Sequence, residues 1–362
     1  MAVRGVDATG PMGWTYAQLQ TKVNQIAHVL VHDMGLKSGE RLLLRGGNSP
    51  MMAACFLAAL KAGLVVVPTM PLLRAAELKK MMDKAQVSAA LCDSLLAEEL
   101  THCTDASHTH FASSLKQVLW FRTADEHGVE ARMAKHAKEF EACDTSRDDV
   151  CLIAFTSGTT GNPKGATLTH CNILNNGYLA GEAMQLTETD RLCIPVPLYH
   201  CFGMVLAVLA CVSHGSAMVF PGEAFDPLET LQTVEAEGCT ALHGVPTMFI
   251  TELDHPRFGE FDLSSLRTGI MAGAPCPVEI MKRVISEMHM EDILIGYGQT
   301  EVSPLNHMTL PNDSLERRTE TVGRAVPWVE IKVIDQSNRV VAIGEKGEIC
   351  TRGYSVMREY WN

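Results

Sequence analysis

Hydrophobic and polar residues follow two spacings along the chain, that of an amphipathic helix and that of a buried strand. Between Thr15, which suits a helix N-cap, and Gly35, which suits a helix C-terminus, apolar residues recur every three to four positions. The apolar positions of this first predicted helix are Leu19, Val23, Ile26, Ala27, Leu30 and Val31. Uninterrupted apolar runs, typical of strands buried on both faces, then alternate with further helical stretches. The elements predicted next are a turn and strand over 39–44, helix 50–62, strand 64–68, helix 75–85 and strand 89–92.

The same alternation returns after residue 151, and it predicts an α/β fold with mostly parallel sheets. The predicted elements are strand 152–155, helix 167–183, strand 192–195, helix 226–238, strand 240–242, a strand and turn over 267–275, helix 277–289 and strand 293–295. From Thr321 the pattern changes, because Val329, Ile331 and Val333 alternate with charged residues. Period-two alternation indicates antiparallel strands with one wet face, which we expect to form a small barrel.

Residues 101–148 are polar and show no regular period, so we expect a solvated connector there. His102, Cys103, His108 and His110 raise the alternative of a zinc site. No two of them have the spacing of a zinc finger or ribbon, and four ligands from one short span would be unusual. The connector is therefore the favoured interpretation.

Composition narrows the class of partner and the compartment. The chain has 362 residues, of which 46% are hydrophobic and 20% charged, as in an ordinary globular protein. Its formal charge of −12 disfavours nucleic acid or an anionic membrane as the main partner. The twelve cysteines form no C-x-x-C pair, and no apolar run is long enough for a transmembrane segment. We expect reduced thiols and a cytoplasmic location, with the mitochondrial matrix as the alternative.

A loop rich in glycine and hydroxyl groups follows the strand predicted at 152–155. It consists of Thr156, Ser157, Gly158, Thr159, Thr160, Gly161, Asn162, Pro163, Lys164 and Gly165. Glycines let backbone N–H groups approach a ligand, hydroxyls add donors and the lysine adds a positive charge, which suits a polyphosphate. A plain surface turn would not require the lysine. A Walker A loop requires glycine before the lysine and Ser or Thr after it, whereas Pro163 and Gly165 stand there.

The loop matches the T-S-G-T-T-G-x-P-K-G motif of adenylate-forming enzymes letter for letter. The chain therefore resembles the acyl-CoA synthetase branch of that superfamily, over nearly its whole length. A second motif supports the resemblance: Gly296, Tyr297, Gly298, Gln299, Thr300 and Glu301. Its glycines free the backbone, and Tyr297 offers a flat face to a base. A carboxylate near a triphosphate is repelled unless a hard cation lies between them, so Glu301 implies Mg²⁺.

The resemblance implies a role for each of these residues. The loop 156–163 with Lys164 would hold the β- and γ-phosphates of ATP, while Thr300 would contact the α-phosphate. The nucleotide site would also include Gly296, Gly298 and Gln299, with Glu301 as the metal ligand. Tyr297 would lie on one face of the adenine, and the turn Gly273, Ala274 and Pro275 on the other. His200 would line the acyl pocket without acting as a general base.

The implied reaction joins a medium-chain or related fatty acid to ATP and then transfers the acyl group to coenzyme A. Two alternatives stay open: an aryl acid of the benzoate type as substrate, and a nucleotide-binding fragment without catalysis of its own. The expected units are a first α/β subdomain at 1–150, a second with the ATP motifs at 151–320, and an incomplete barrel at 321–362.

Family members continue with a T-G-D motif and a mobile C-terminal domain that carries a catalytic lysine. Neither can be matched within these 362 residues. We therefore expect weak turnover from this chain alone, and a separate C-terminal domain chain as a partner.

Overall fold

A computed structural model describes residues 1–7, 10–156 and 163–361. The strands in these residues are, in chain order, β1 (Val3–Asp7), β2 (Gly10–Trp14), β3 (Arg41–Arg45), β4 (Val65–Thr69), β5 (Ala89–Asp93), β6 (Gln117–Phe121), β7 (Val150–Thr156), β8 (Lys164–Thr169), β9 (Arg191–Cys193), β10 (Ala217–Val219), β11 (Ala241–Leu242), β12 (Thr268–Ala272), β13 (Asp292–Gly298), β14 (Leu305–Met308), β15 (Arg324–Ala325), β16 (Val329–Ile334), β17 (Glu348–Gly353) and β18 (Tyr360–Trp361).

The α-helices of the same residues are α1 (Tyr16–His28), α2 (Pro50–Lys61), α3 (Ala75–Ala85), α4 (Ala97–Thr104), α5 (Val129–Met133), α6 (His170–Ala183), α7 (Cys201–Gly203), α8 (Ala210–His214), α9 (Pro227–Glu237), α10 (Pro246–Leu253), α11 (Val278–Glu287) and α12 (Leu315–Glu320). Two π-helical segments, Val29–Asp33 and Met204–Leu209, continue α1 and α7. No helix in the described part of the chain is both long and apolar enough to cross a bilayer.

Two mostly parallel sheets, whose strands come from the described residues, form the body of the molecule, as the alternating pattern predicts. One has the strand order β15-β14-β13-β12-β11-β9-β10-β1-β2 and is called the nine-stranded sheet. The other has the order β18-β8-β7-β4-β3-β5-β6 and is called the seven-stranded sheet. Antiparallel pairs lie at both ends of the first sheet and at the β18 end of the second. The fold is therefore mixed α/β.

Each sheet is apolar on both faces, because helices cover it on both sides. In β3, Leu42 and Leu44 point into a core that also contains Leu192 and Ile270 of the other sheet. Leu43, between them, points to the opposite core beside α3 and α4. Successive strand residues face opposite sides, so an uninterrupted apolar run is what a doubly covered strand requires. The shared core also contains apolar residues of α1, α2 and α6, and so lies between the two sheets.

The predicted helix ends are confirmed where capping residues mark them. The hydroxyl of Thr15 accepts from the Gln18 N–H at 3.2 Å, and the Gln18 side chain accepts from the Thr15 N–H at 2.8 Å. The Asp226 carboxylate accepts from the Glu229 N–H at 2.9 Å at the start of α9, and Gly238 ends that helix with φ of 57°. These side chains bond the free N–H groups of the first turn.

Two local predictions are wrong. The connector expected over 101–148 contains β6, which pairs in parallel with β5 at the edge of the seven-stranded sheet. The helix expected from residue 167 begins at His170, because Thr169 is its N-cap and residues 164–169 form β8. The apolar run 118–121 of β6 is itself typical of a strand, whereas at 164–169 the pairing of β8 with β7 decides the conformation.

Each large sheet combines strands from different expected units, and the division of the chain at residues 150 and 320 stays a prediction. Strands β7 and β8 lie almost wholly after residue 150 yet belong to the seven-stranded sheet, whereas β1 and β2 join the nine-stranded sheet. Residues beyond 321 also belong to both large sheets, since β15 extends the nine-stranded sheet and β18 extends the seven-stranded sheet. In the described residues β16 and β17 form an antiparallel pair of their own. A barrel at 321–362 stays a prediction.

A buried asparagine joins the two sheets. Asn48 follows β3, and its amide donates to the carbonyls of Ile194 at 3.2 Å and Val196 at 2.9 Å. Its side-chain oxygen accepts from the Leu198 N–H at 2.8 Å. The segment after β9, which leads to His200, is thereby fixed to the seven-stranded sheet.

Candidate active site

A cavity of about 420 Å³ lies where the carboxyl ends of strands from both sheets converge. Strand β7 reaches it from the seven-stranded sheet, and β12 and β13 reach it from the nine-stranded sheet. The carboxyl ends of parallel strands lie at one edge of a sheet, so side chains that follow different strands meet there. The lining residues are Phe155, Thr156, His200, Phe202, Leu206, Ala272, Gly273, Gly296, Gly298, Gln299, Thr300, Glu301, Pro304 and Leu305.

The glycine-rich loop connects β7 to β8 as a hairpin. Thr156 and Lys164 are directly opposite each other in the antiparallel pair, so both ends of the loop are fixed. The Lys84 ammonium also donates to the Pro163 carbonyl at 3.2 Å. Residues Ser157, Gly158, Thr159, Thr160, Gly161 and Asn162 lie outside the described residues. Thr156 lines the cavity, and Lys164 stands across the hairpin from it.

The motif at 296–301 continues β13 into a single 3₁₀ turn, Thr300–Val302. A side chain at Gly298 would place its Cβ 1.9 Å from the Pro304 carbonyl oxygen, so only glycine fits this approach. The Ile295 N–H donates to the Thr309 hydroxyl at 2.8 Å, which fixes the strand just before the motif. Gln299, Thr300 and Glu301 therefore leave the sheet at a defined point beside the cavity.

A second cavity, of about 680 Å³, adjoins the first and shares Gly273, Gly296 and Gly298 with it. The turn Gly273, Ala274 and Pro275 lies on one side, and Tyr297 and residues 319–322 complete the wall. Gly273 has φ of 88°, a conformation that favours glycine. The exposed Tyr297 ring meets the edge of His307 with the ring centroids 5.7 Å apart. Sequence reasoning missed His307, which restricts rotation of the Tyr297 ring.

His200 is at the N-cap of α7, where its Nδ1 accepts from the Phe202 N–H at 3.0 Å. The ring is exposed to the open cavity, and the protein packed around it lowers the pKa of His200 below its ordinary value by partial desolvation. A neutral imidazole at neutral pH follows. The wall beyond it is apolar and consists of Phe202, Leu206, Ala272, Pro304 and Leu305.

His243 supports that apolar wall from behind, a role that sequence reasoning did not assign. Its Nδ1 accepts from the Ile270 N–H at 3.1 Å, so Nε2 carries the proton and donates to the Leu206 carbonyl at 3.0 Å. The Phe202 ring packs 5.1 Å from the imidazole, measured between centroids. Complete burial lowers the pKa of His243 to about 4, so the ring is neutral.

Glu301 and Lys164 both contact Tyr360 of β18, which sequence reasoning also missed. The Tyr360 hydroxyl donates to Oε1 of Glu301 at 2.7 Å, and this bond raises the pKa of Tyr360. The Lys164 ammonium lies 5.2 Å from the centroid of the same ring. No motif in the sequence connects positions 301 and 360, because their contact results from the pairing of β18 with β8.

The donor set at Glu301 fits Mg²⁺ shared with phosphate oxygens. Among the described residues no three His, Cys, Asp or Glu side chains converge as a metal site. Mg²⁺, however, is commonly held by one or two carboxylates together with water and substrate phosphates. One Glu301 oxygen accepts from Tyr360, and the residue lines the cavity.

The cavities thus bring together most of the residues singled out in the sequence. Thr156, His200, Thr300 and Glu301 line the first cavity, with Gly296, Gly298 and Gln299. Gly273, Ala274, Pro275 and Tyr297 line the second. Lys164 lies beside Tyr360.

A family model described as "AMP-binding enzyme" matches residues 3–361. Among curated proteins, the putative acyl-CoA synthetase YngI of Bacillus subtilis is 42% identical over 371 residues, with 96% of this chain and 67% of that protein covered. The protein described as medium-chain acyl-CoA ligase ACSF2, mitochondrial, of Danio rerio is 35% identical over 381 residues, with 96% of this chain and 61% of that protein covered. The chain thus spans about 61–67% of the length of these relatives.

Among solved structures, the inhibitor-bound N-terminal domain of FACL13 from Mycobacterium tuberculosis is similar to this chain. The TM-score is 0.87 at 25% sequence identity, with 100% of this chain and 87% of that chain covered. The similarity extends over both sheets, since the whole of this chain is covered.

Proposed function

Because the chain belongs to the AMP-binding enzyme family, we propose that it activates a carboxylic acid with ATP and passes the acyl group to coenzyme A. First, a carboxylate oxygen bonds to the α-phosphorus while the bond to the pyrophosphate oxygen breaks. The coenzyme A sulfur then bonds to the acyl carbon, the thiol proton leaves and AMP departs. The proposal rests on one observation above all: the lining of the first cavity combines hydroxyl groups and a carboxylate with a set of apolar side chains.

The residues proposed to meet the phosphates combine hydrogen-bond donors with one positive charge. In this proposal Lys164 and the hydroxyl and backbone groups of residues 156–163 hold the β- and γ-phosphates, and Thr300 contacts the α-phosphate. Negative charge accumulates on these phosphates as pyrophosphate leaves. Fixed donors and a nearby ammonium stabilise that charge without reorganising, which is the largest single contribution in many enzymes.

The second cavity suits the adenine ring. Tyr297 supplies an exposed aromatic face, and the turn at 273–275 supplies exposed backbone opposite it. A planar base between an aromatic ring and a flat peptide segment gains dispersion energy on both faces. Gly296, Gly298 and Gln299 complete the nucleotide site of the proposal.

The acid lies, in this proposal, with its carboxylate near His200 and its hydrocarbon chain against Phe202 and Leu206. A fatty acid is already ionised at neutral pH, so attack on the α-phosphorus needs no general base. The neutral His200 therefore contributes shape and one hydrogen-bonding nitrogen. We propose a medium-chain or related fatty acid as substrate, and an aryl acid is the alternative to be tested.

Mg²⁺ would be held by Glu301 together with phosphate oxygens of the nucleotide. The bound ion would supply positive charge at the phosphates. Glu301 itself orients one carboxylate oxygen toward that position, since the other accepts from Tyr360.

Two further proposals concern the rest of the reaction and its location. The family's T-G-D motif and C-terminal lysine cannot be matched in residues 1–362, so we propose that these groups come from elsewhere in the polypeptide or from a separate C-terminal domain chain. The cytoplasm is the proposed location, with the mitochondrial matrix as the alternative. The Danio rerio relative is described as mitochondrial, and all twelve cysteines here are free thiols.

The test is exchange of labelled pyrophosphate into ATP, measured with the purified chain and a panel of acids. Octanoate and decanoate should support exchange more strongly than acetate or benzoate. Strong exchange with benzoate alone would favour the aryl acid. Tight ATP binding without exchange for any acid, with or without an added C-terminal domain, would contradict the proposed activation step.

A further inference from the structure

Strand β18 lies against the nucleotide-facing hairpin and presents its two aromatic residues to opposite sides. Tyr360 is opposite Ala166 of β8, and Trp361 is opposite Gly165. Successive strand residues face opposite sides of a sheet. The Trp361 indole N–H accordingly donates to the Lys84 carbonyl at 3.1 Å, whereas the Tyr360 hydroxyl reaches Glu301.

Hydrogen bonds fix the segment before Tyr360 to β8 and to the turn that contains Glu301. The Thr167 hydroxyl donates to the Glu359 carbonyl at 2.6 Å, and the Thr167 carbonyl accepts from the Arg358 N–H at 3.0 Å. The Met357 N–H donates to the Glu301 carbonyl at 2.8 Å. The segment that carries Tyr360 is therefore anchored both to β8 and to the turn that carries Glu301.

The Tyr360 side chain contacts two opposite charges. Its hydroxyl end contacts the Glu301 carboxylate, and its face lies toward the Lys164 ammonium. Among the described residues no ion pair joins that ammonium to that carboxylate, although both contact this one side chain. A cation is attracted to an aromatic face, so the ring offers Lys164 a second partner. Without the ring, these opposite charges would attract each other directly.

We propose that Tyr360 is a positioning residue of the nucleotide site, which separates Lys164 from Glu301 and orients each toward the ligand. The inference rests on the proposed function, since it gives both charged residues their roles. Its hydroxyl restrains the carboxylate for Mg²⁺, and its ring keeps the ammonium from being neutralised by that carboxylate. Two substitutions separate the roles, since one removes only the hydroxyl and the other removes the aromatic ring as well.

The first variant is Tyr360→Phe, which removes the hydroxyl and keeps the ring. The Mg²⁺ concentration that gives half-maximal ATP binding should rise about three- to tenfold, the scale of one hydrogen bond to a partly exposed group. ATP binding without Mg²⁺ should change much less. Isothermal titration calorimetry with ATP across a Mg²⁺ series measures both quantities. An unchanged or lower Mg²⁺ requirement would overturn the role of the hydroxyl.

The second variant, Tyr360→Leu, removes the ring as well and lets Lys164 pair with Glu301. ATP binding without Mg²⁺ should weaken about tenfold, because the phosphates must then compete with a carboxylate for the ammonium. Adding Glu301→Gln to Tyr360→Leu should restore most of that binding, since the competing charge is gone. A ring that acted only through packing would show no such rescue, and absence of rescue contradicts the proposal.

Trp361→Phe is the matched control, because it alters the neighbouring residue on the opposite face and loses the bond to Lys84. It should leave the Mg²⁺ requirement within about twofold of the unmodified chain. Circular dichroism and thermal unfolding establish that each variant is folded, and if Tyr360→Leu is not, Tyr360→Phe alone decides. Failure of the unmodified chain to bind ATP would count against the proposed function. ATP binding that is normal and insensitive to Tyr360 would count against this inference alone.

Discussion

The two sheets reach the cavity through strands that occupy different positions in the strand order. The nine-stranded sheet does so through β12 and β13, which have further strands on both sides. The seven-stranded sheet does so through β7 and β8, next to the two-residue strand β18 at its edge. The interior side carries glycines, an aromatic ring and, directly after β13, Thr300 and Glu301, whereas the edge carries Thr156 and Lys164.

The difference suggests that the interior side provides shape and the edge provides positive charge. A backbone surface that receives a planar group needs a rigid support, and an interior strand provides it through ladders on both sides. A lysine that meets phosphates needs solvent while the site is empty, because burying an unpaired ammonium is costly. Strand β18 pairs with β8 and so gives the edge of the seven-stranded sheet part of the rigidity that β12 and β13 have from strands on both sides. Mutations should therefore affect stability more on the interior side and binding more on the edge.

Removal of the connection between the sheets should have the largest effect. Asn48→Ala deletes three buried side-chain hydrogen bonds and leaves their backbone partners without them. At about 1–1.5 kcal/mol for each bond, the free energy of unfolding should fall by about 4 kcal/mol. Urea denaturation followed by circular dichroism measures it. The exposed Asn175→Ala, whose amide bonds within α6, is the matched control and should cost less than about 1 kcal/mol. Similar losses for both variants would mean that Asn48 does not join the sheets.

The interior side should also respond to pH through His243. Its pKa is lowered from 6.5 to about 4 in the folded chain, so the unfolded chain binds a proton first as the pH falls. The contribution to stability is therefore present above pH 6.5 and is lost between pH 6.5 and 4. A pKa difference of this size between the folded and unfolded chains corresponds to about 3 kcal/mol. The unfolding free energy of His243→Gln should fall less steeply over this window. An equal slope in both proteins, or a reduced slope in the exposed-site control His127→Gln, would contradict the assignment.

A third change tests whether the interior wall tolerates added volume. Gly298→Ala would force a methyl group against the Pro304 carbonyl, and the chain must shift to relieve it. The expected loss of stability is about 2 kcal/mol, together with weaker adenosine binding as the motif moves. Thermal unfolding and calorimetry with adenosine measure the two effects. Gly259→Ala is the matched control, because nothing lies within 4 Å of its added Cβ. Comparable effects at both positions would mean that the close approach of Gly298 to Pro304 does not cause the loss of stability.

The smallest expected effect is that of a substitution at the edge of the seven-stranded sheet. It should weaken ATP binding without lowering the free energy of unfolding. Lys164→Ala should weaken ATP binding by about 1–2 kcal/mol, the scale of one hydrogen bond to a charged group, and leave adenosine binding unchanged. Calorimetry with ATP and adenosine separates phosphate from base recognition. Lys84→Ala alters a neighbouring lysine that bonds a loop carbonyl, and should weaken ATP binding less. Equal losses for ATP and adenosine after Lys164→Ala would place this lysine in a structural role.

The elements that the sequence predicted well have their determinants close together in the chain. The capping box at Thr15 and the Asp226 to Gly238 helix depend on residues within one helix. Buried strands such as β3 also appear in the sequence, because covering by helices on both faces leaves no polar position in the run. Thr156 of the first motif and the residues of the second motif line adjoining cavities.

The remainder depends on pairing across long separations. Strand β6 was not recognised although residues 118–121 form a short apolar run, and β8 was not recognised because it was taken for the start of the helix that follows. Tyr360 contacts Glu301 across 59 positions, and His243 contacts Leu206 across 37. Neither contact follows from a period or a motif. The residues that support the site were thus harder to predict than those that face it.

The strand order has a consequence for how the chain assembles. Strand β1 pairs with β10 more than 200 positions later, and β18 pairs with β8 nearly 200 positions earlier. Each sheet is thus completed by a strand remote in sequence from most of its neighbours. Such a fold has a high contact order, because long loops must close before these pairings form, and folding should be correspondingly slow. During synthesis on the ribosome, β1 can pair with β2, but this pair has no sheet to join until residues 217–219 have emerged, so the edge of β1 that later meets β10 needs protection during that interval.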